Sequence, residues 1–187
     1  SFADGDCSGI NPGCVVVMDE NYEVIDEIYY LDENGDEILI DPHGFIWIDD
    51  DHYIVAAYKQ ETVEVPEEIG ADNNLADLAV LYIEEVKDGE VLWEFCSADY
   101  EQFLYESNSV TWDESMDKCY DYVHFNSMNY DTDGNILVSC RHLNAILKIS
   151  TEDGSLIWQL GGDYDDFGLT DDQLFSYQHS IILTEDG

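Results

Sequence analysis

The chain has 187 residues, of which 45% are hydrophobic and 13% aromatic, a composition typical of one folded core rather than of a disordered segment. Forty-four acidic residues oppose five basic ones, giving a formal net charge of −39. Nucleic acids and anionic membrane surfaces are therefore excluded as favourable partners. The chain lacks a run of about 18 apolar residues, so no membrane insertion is predicted. Acidic residues spread along every segment favour a solvated surface.

Strand-like segments alternate with acidic turns along the chain. Residues 13–26, 79–95 and 144–160 each predict a hairpin, the latter two with an Asp-Gly turn and a Trp in the second strand. Residues 47–59 resemble 129–141: both read as a strand end, an acidic turn and a strand ending in a cation.

These repeats predict an all-β fold, a β-propeller of four-stranded antiparallel blades. The chain would supply the outer strands of one blade, two full blades and the start of a fourth. We therefore expect residues 1–187 to be a partial propeller domain, about half of a probable six-bladed ring. An isolated half-ring would leave open strand edges, which favours a fragment of a longer chain.

Helix is scarce in this pattern. Ser97–Glu106 is the best candidate, with Ser97 as N-cap, and an irregular loop between blades is the alternative.

The five cysteines include no C-x-x-C pair, so no metal site based on thiolates is predicted. Cys7 and Cys14 could close a small loop if the protein is exported. Cysteine usage favours a secreted, periplasmic or cell-surface location. The acidic turns at 32–35, 131–134 and 152–154 place glycine too early for an EF-hand, so we expect ordinary β-turns, although divalent-cation binding remains open.

Three of the five histidines, His43, His124 and His179, fall at the starts of successive blades. The inner strands of a propeller line its central channel, so we expect these side chains to converge at one mouth. Strand alternation would place Asn126 on the same side as His124.

The other two histidines, His52 and His142, are expected to be structural or solvated. His52 falls in an acidic turn, and His142 should face away from Arg141 by strand alternation. Arg141 is the sole arginine, and its planar fork suits a sulfate or phosphate oxyanion.

An ordered set of motifs resembles the arylsulfotransferase family. The set comprises Asp121-Tyr-Val-His-Phe-Asn-Ser127, Ser139-Cys-Arg141, Trp158-Gln-Leu-Gly-Gly162 and Gln178-His179, with a weaker extension upstream to His43. The resemblance implies a six-bladed propeller that moves a sulfuryl group from an aryl sulfate donor to a phenolic acceptor, without a nucleotide donor. It also implies no cofactor and no metal.

The same resemblance implies a role for each site residue. His179 would be the nucleophile that becomes transiently sulfated. His124 and Arg141 would bind the sulfuryl oxygens and assist the leaving phenolate. Asn126 and His43 would complete the substrate-binding cluster.

Two other classes remain open. One is a catalytically silent extracellular propeller that acts as a binding or structural module, in an assembly completed by other chains. The other is a propeller dehydrogenase with a quinone cofactor, which shares blades carrying Trp.

Overall fold

The computed structural model describes residues 13–69, 71–107 and 119–184. Within these ranges the fold is all-β, with four antiparallel sheets. The strands are β1 Val15–Met18, β2 Val24–Ile28, β3 Tyr30–Leu31, β4 Glu37–Ile38, β5 Phe45–Asp49, β6 His52–Glu64, β7 Leu75–Lys87, β8 Glu90–Cys96, β9 Phe125–Tyr130, β10 Ile136–Cys140, β11 Ala145–Ile149 and β12 Leu156–Gly161. The helical segments are the 3₁₀ turns Glu67–Ile69, Asp72–Asn74 and Ser97–Asp99 and the helix α1, Gln102–Glu106.

Two of the sheets are four-stranded meanders, β5–β8 and β9–β12, in which each strand pairs with its neighbour in sequence. The β7–β8 hairpin turns at Asp88 and Gly89, whose φ angles of 53° and 77° suit the two-residue turn predicted from the Asp-Gly pair. The smaller sheets pair β1 with β2 and β3 with β4. The predicted hairpins and the four-stranded unit are therefore confirmed. The ring, and the division of residues 1–187 into blades, stay predictions.

The middle strand β7 is buried from Leu78 through Val86, so both of its faces are covered. An isolated sheet with one solvated face would show alternating burial instead. The second meander contacts this sheet at β8, since a Cβ on Gly154, in the β11–β12 turn, would lie 2.1 Å from the carbonyl oxygen of Glu94. The two meanders therefore pack against each other.

The predicted helix over Ser97–Glu106 forms only in part, as a 3₁₀ turn followed by the single helical turn of α1. Ser97 does not cap it. Its buried hydroxyl accepts a hydrogen bond from the Leu81 amide at 2.9 Å and contacts the Tyr122 hydroxyl at 2.7 Å. The N-cap prediction was wrong because this serine is engaged by the sheet.

The acidic turns at 32–35 and 131–134 take the expected β-turn form, with the glycine amide donating to the first carbonyl, whereas the Gly154 amide donates four residues back, to Ser150. Asp32 accepts hydrogen bonds from the amides of Asn34 and Asp36, both at 2.8 Å. In the β9–β10 turn, the Lys148 ammonium lies 2.5 Å from Asp131 and 2.6 Å from Asp133. The hydrogen bond from Lys148 lowers the pKa of Asp133 to about 2. A lysine therefore occupies the place that a cation would take at this turn.

Three of the described cysteines, Cys14, Cys96 and Cys140, are free, whereas Cys119 is disulfide-bonded. The small loop expected between Cys7 and Cys14 was therefore wrong, because Cys14 carries a free thiol; Cys7 lies outside the described residues. Across the same ranges, no helix has the length and apolar character needed to cross a membrane.

Two neighbouring carboxylates of β7 are buried. Glu85 accepts hydrogen bonds from the Trp93 indole and contacts His52 Nε2, both at 2.6 Å. His52 is thus a partner inside the sheet and not the solvated residue expected. Glu84 has only a long contact of 3.4 Å from the Leu31 amide, and its Oε2 lacks a hydrogen-bond partner. Burial raises the pKa of Glu84 to about 7, and the charge of Glu94 adds to this effect.

Glu84 predicts a specific pH dependence of stability. The pKa of Glu84 rises on folding from 4.5 to about 7. Its contribution to the free energy of unfolding is therefore complete below pH 4.5 and is lost as the pH rises through about 7. Glu84→Gln removes this cost, and we expect it to raise the free energy of unfolding at about pH 8 by on the order of 2 kcal/mol. Urea denaturation between about pH 5 and pH 8 measures the effect. Glu90→Gln, at an exposed position of β8, is the matched control, and parallel curves for wild type and Glu84→Gln would refute the assignment.

Candidate functional site

Two histidines in neighbouring sheets are each held by a buried aspartate. Asp41 accepts hydrogen bonds from the His43 amide at 2.8 Å and from His43 Nδ1 at 2.9 Å. Asp121 accepts from the His124 amide at 2.9 Å and lies 2.5 Å from His124 Nδ1. Both aspartate side chains are 7% exposed, whereas the imidazoles are 44% and 35% exposed. The pairs thus have buried acids and accessible rings.

This pairing fixes the tautomer of each ring. An ionised carboxylate only accepts hydrogen bonds, so Nδ1 carries the proton and Nε2 is left for a ligand. Burial raises the pKa of Asp41, an effect that its hydrogen bonds with His43 oppose and the charge of Asp121 reinforces.

Each pair adjoins a tight contact between the two meanders. His43 precedes Gly44, and His124 precedes Phe125. A Cβ on Gly44 would lie 2.8 Å from the Phe125 ring, so a side chain there would force the sheets apart. The Phe125 amide also donates to the buried hydroxyl of Tyr58, on β6, at 2.7 Å. The residues that follow His43 and His124 in the chain are therefore in contact, and glycine at position 44 permits this contact.

The third predicted histidine, His179, lies on an irregular segment that follows β12. Gln178 fastens this segment to the second meander, because its amide nitrogen donates to the carbonyls of Cys140 at 3.0 Å and Ala145 at 2.8 Å. Asn126 also binds this segment, since its side chain donates to the Gln178 carbonyl at 3.0 Å and accepts from the Ser180 amide at 3.1 Å.

His179 itself stays exposed between these anchors. Its ring meets the His43 ring edge-on, with 5.7 Å between centroids. Tyr177 and Ser180, which flank its segment, have φ angles of 51° and 74°, as does His124 at 51°. Such left-handed backbone in non-glycine residues costs energy and is concentrated at functional sites.

Arg141 and His142 follow the last residue of β10. The Arg141 Nη1 lies 2.9 Å from His142 Nε2, so the expectation that His142 faces away was wrong. Strand alternation fails here because β10 ends at Cys140 and residues 141–144 form a turn. The Arg141 guanidinium also lies 4.7 Å from the centre of the Tyr177 ring, a cation–π contact. Arg141 is thereby placed beside the segment of His179.

The ligand atoms of Asp121, His124 and His142 lie within 4.8 Å of one another, the spacing that a metal ion needs. These residues are already hydrogen-bonded to one another. His124 Nδ1 contacts the Asp121 carboxylate, and His142 Nδ1 lies 2.6 Å from the backbone carbonyl oxygen of Asp121. The Arg141 guanidinium stands beside the third ligand. A cation would have to break these bonds next to a fixed positive charge, so the arrangement favours a hydrogen-bonded network over a metal centre.

All five predicted site residues thus belong to one connected region. His43 touches His179, Arg141 touches the His179 segment through Tyr177, and Asn126 holds that segment. Asn126 is only 2% exposed, with its amide used by the backbone of residues 178 and 180. Its predicted contact with a substrate oxygen stays a prediction, and its observed contacts are those of an anchor.

Sequence reasoning missed three functional residues: Asp41, Asp121 and His142. A signal for the aspartates is present, since each precedes its histidine by two or three residues, in Asp41-Pro-His43 and Asp121-Tyr-Val-His124. An aspartate at that spacing can accept from both the amide and the ring of the histidine.

The Asn126 anchor predicts a local response to mutation. Asn126→Ala removes both hydrogen bonds to the His179 segment, which are part-buried, at a cost of about 1 kcal/mol. We expect faster hydrogen exchange of the Ser180 amide, measured by mass spectrometry on peptides covering residues 175–184. Asn21→Ala, in the exposed β1–β2 turn, is the control. Equal exchange of this segment in both variants would show that Asn126 does not anchor it.

Comparison with known families agrees with the motifs. The profile described as Arylsulfotransferase (ASST) matches residues 2–187 of this chain. No curated protein and no solved structure gives a significant match. The family match supports a sulfotransferase-like function in general terms and covers the histidines, the arginine and their anchors together. The chain therefore belongs to the arylsulfotransferase family.

Proposed function

We propose that this chain carries the transfer centre of an aryl-sulfate sulfotransferase, which moves a sulfuryl group from an aryl sulfate to a phenol through His179. The observation that carries the proposal is the contact of His43 with the exposed His179 ring, beside the sole arginine, which packs on Tyr177 and reaches His124 through His142. In a chain of net charge −39, the one arginine stands within this cluster. A guanidinium and imidazoles form a donor set for a sulfate oxyanion.

In the first step of this proposal, a neutral nitrogen of His179 attacks the sulfur of the aryl sulfate. The N–S bond forms as the S–O bond to the aryl group breaks, and the electron pair leaves on the phenolate oxygen. The exposed position of His179 supports this role, because a nucleophile must reach the sulfur in line with the leaving group.

Arg141 would hold two sulfuryl oxygens with its planar fork throughout the transfer. The imidazolium form of His124 would give its Nε2 proton to the leaving phenolate, while Asp121 holds Nδ1. The imidazolium form of His43, paired through Nδ1 to Asp41 in the same way and in contact with His179, would donate from Nε2 to the remaining sulfuryl oxygen.

The second step reverses the first with another phenol. His124, now neutral, would take the hydroxyl proton of the acceptor, and the phenolate oxygen would attack the sulfur of sulfated His179. The S–N bond breaks, its electron pair returns to the imidazole, and the sulfated phenol leaves. Donor and acceptor would thus use the same centre in turn, a ping-pong mechanism.

Two further features of the proposal concern the setting. We place the site at the mouth of a six-bladed propeller, supported by two packed four-stranded meanders whose middle strand β7 is covered on both faces. We place the protein in an oxidising compartment, secreted, periplasmic or at the cell surface, supported by the disulfide at Cys119.

The nucleophile gives the decisive test. With p-nitrophenyl sulfate as donor and phenol as acceptor, we expect the full-length protein to release nitrophenolate and to form sulfated phenol. His179→Ala should lower kcat at least about a thousandfold, because the covalent intermediate is lost. A donor with radiolabelled sulfur should label wild type at His179 when acceptor is omitted, located by peptide mapping under alkaline conditions.

His52→Gln is the matched control, since His52 lies at the start of β6 and its nitrogen partner is Glu85. We expect it to keep wild-type kinetics. Transfer that persists undiminished in His179→Ala would overturn the mechanism. A folded protein that binds aryl sulfates without any transfer would favour the binding-module alternative.

A further inference from the structure

His142 lies at the centre of the site, yet no step above uses it. Both of its ring nitrogens are engaged: Nδ1 is 2.6 Å from the Asp121 carbonyl oxygen, and Nε2 is 2.9 Å from Arg141 Nη1. A carbonyl oxygen only accepts and a guanidinium only donates. The ring therefore carries its proton on Nδ1 and accepts the Arg141 hydrogen bond on Nε2.

We propose that His142 is a positioning residue, whose neutral ring holds the Arg141 guanidinium in the orientation that receives the sulfuryl group. Arg141 has a long side chain with costly rotamer freedom, and fixing it before substrate arrives lowers the cost of forming the transition state. The Tyr177 ring, 4.7 Å from Cζ, packs against the guanidinium and adds a second constraint.

The role requires a neutral ring, and the surroundings favour one. An imidazolium donates from both nitrogens, so protonation would point an N–H of His142 at the guanidinium. The groups that face the ring are Asp121, His124 and Arg141. Burial lowers the pKa of His142, and the charges of His124 and Arg141 reinforce this, against the opposing effect of Asp121.

Asp121 orients both His142 and His124, the proposed proton donor of the site. Its carboxylate fixes Nδ1 of His124, and its backbone carbonyl fixes Nδ1 of His142, so both rings are oriented by one residue. The two rings lie face to face, tilted by 32°, with 4.4 Å between centroids. His142 thus holds Arg141 on one side and supports the ring of His124 on the other.

Two substitutions separate positioning from folding. In His142→Asn, the amide nitrogen can replace Nδ1 and keep the bond to the Asp121 carbonyl, but no acceptor reaches Arg141. In His142→Gln, the longer amide can offer its oxygen to Arg141 at the place of Nε2. His52→Gln serves as control for loss of a histidine elsewhere.

The kinetic readout rests on the proposed function. We expect His142→Asn to lower kcat/KM for the aryl sulfate by about 10- to 100-fold, as expected for a misplaced catalytic group. His142→Gln should retain most of the activity, and the melting temperatures of both variants should match. Equal loss of activity and of melting temperature in the two variants would reduce His142 to a structural residue and overturn the proposal.

A second readout does not depend on transfer. In protein labelled with isotopic arginine, Arg141→Lys identifies the guanidinium NMR signal of Arg141. We expect distinct, slowly exchanging Nη protons in wild type and His142→Gln, and averaged signals in His142→Asn. On titration with inorganic sulfate, the guanidinium signals of His142→Asn should shift less than those of the other two proteins. Unchanged guanidinium signals in His142→Asn would overturn the positioning role. If wild type shows no transfer, the proposed function fails, while these spectra still decide the role of His142.

Discussion

The tight contact between the two sheets at Gly44 and Phe125 is the constraint on which the site depends. A Cβ at residue 44 would lie 2.4 Å from the Ala56 Cβ and 2.8 Å from the Phe125 ring, distances that no side chain tolerates. His43 and His124 are each the residue immediately before this contact. Their separation therefore depends on backbone packing. The Phe125 amide is held in place by its hydrogen bond to the Tyr58 hydroxyl. Sheet packing and site geometry are one feature.

Side-chain hydrogen bonds hold the irregular segment that carries His179. The segment around His179 has no strand pairing within the described residues, and side chains of the second meander replace the missing ladder. Asn126 and Asn144 supply these bonds, the latter by accepting from the Tyr177 amide at 2.9 Å, and Gln178 of the segment donates in return to the meander backbone. A segment held by its backbone can leave one side chain free, which suits the proposed role of His179 as a nucleophile that donor and acceptor would approach in turn.

The sequence predicted the parts of this structure that depend on local rules. Hairpins follow from Asp-Gly pairs such as Asp88-Gly89, because few residues adopt the positive φ that such turns need. The family motifs identified the histidines and Arg141, and the structure connects them. The contact between Arg141 and His142 was not predicted, because alternation holds only inside a strand and β10 ends one residue too early. The predictions for Ser97 as an N-cap and for His52 as a solvated residue were wrong for a related reason, because their hydrogen-bond partners lie far away in the sequence.

The acidic surface and the basic site are compatible because they act over different distances. Surface charges beyond about 8 Å are largely screened at physiological ionic strength, whereas donors in contact with an oxyanion are not. Binding of a sulfate ester must then rest on short-range, oriented hydrogen bonds, because long-range attraction is absent. Orientation matters more under this condition than in a basic protein, where the field itself would concentrate anions. The need for orientation is a physical reason for a site in which Asp41, Asp121 and His142 each fix the direction of a cationic or potentially cationic neighbour.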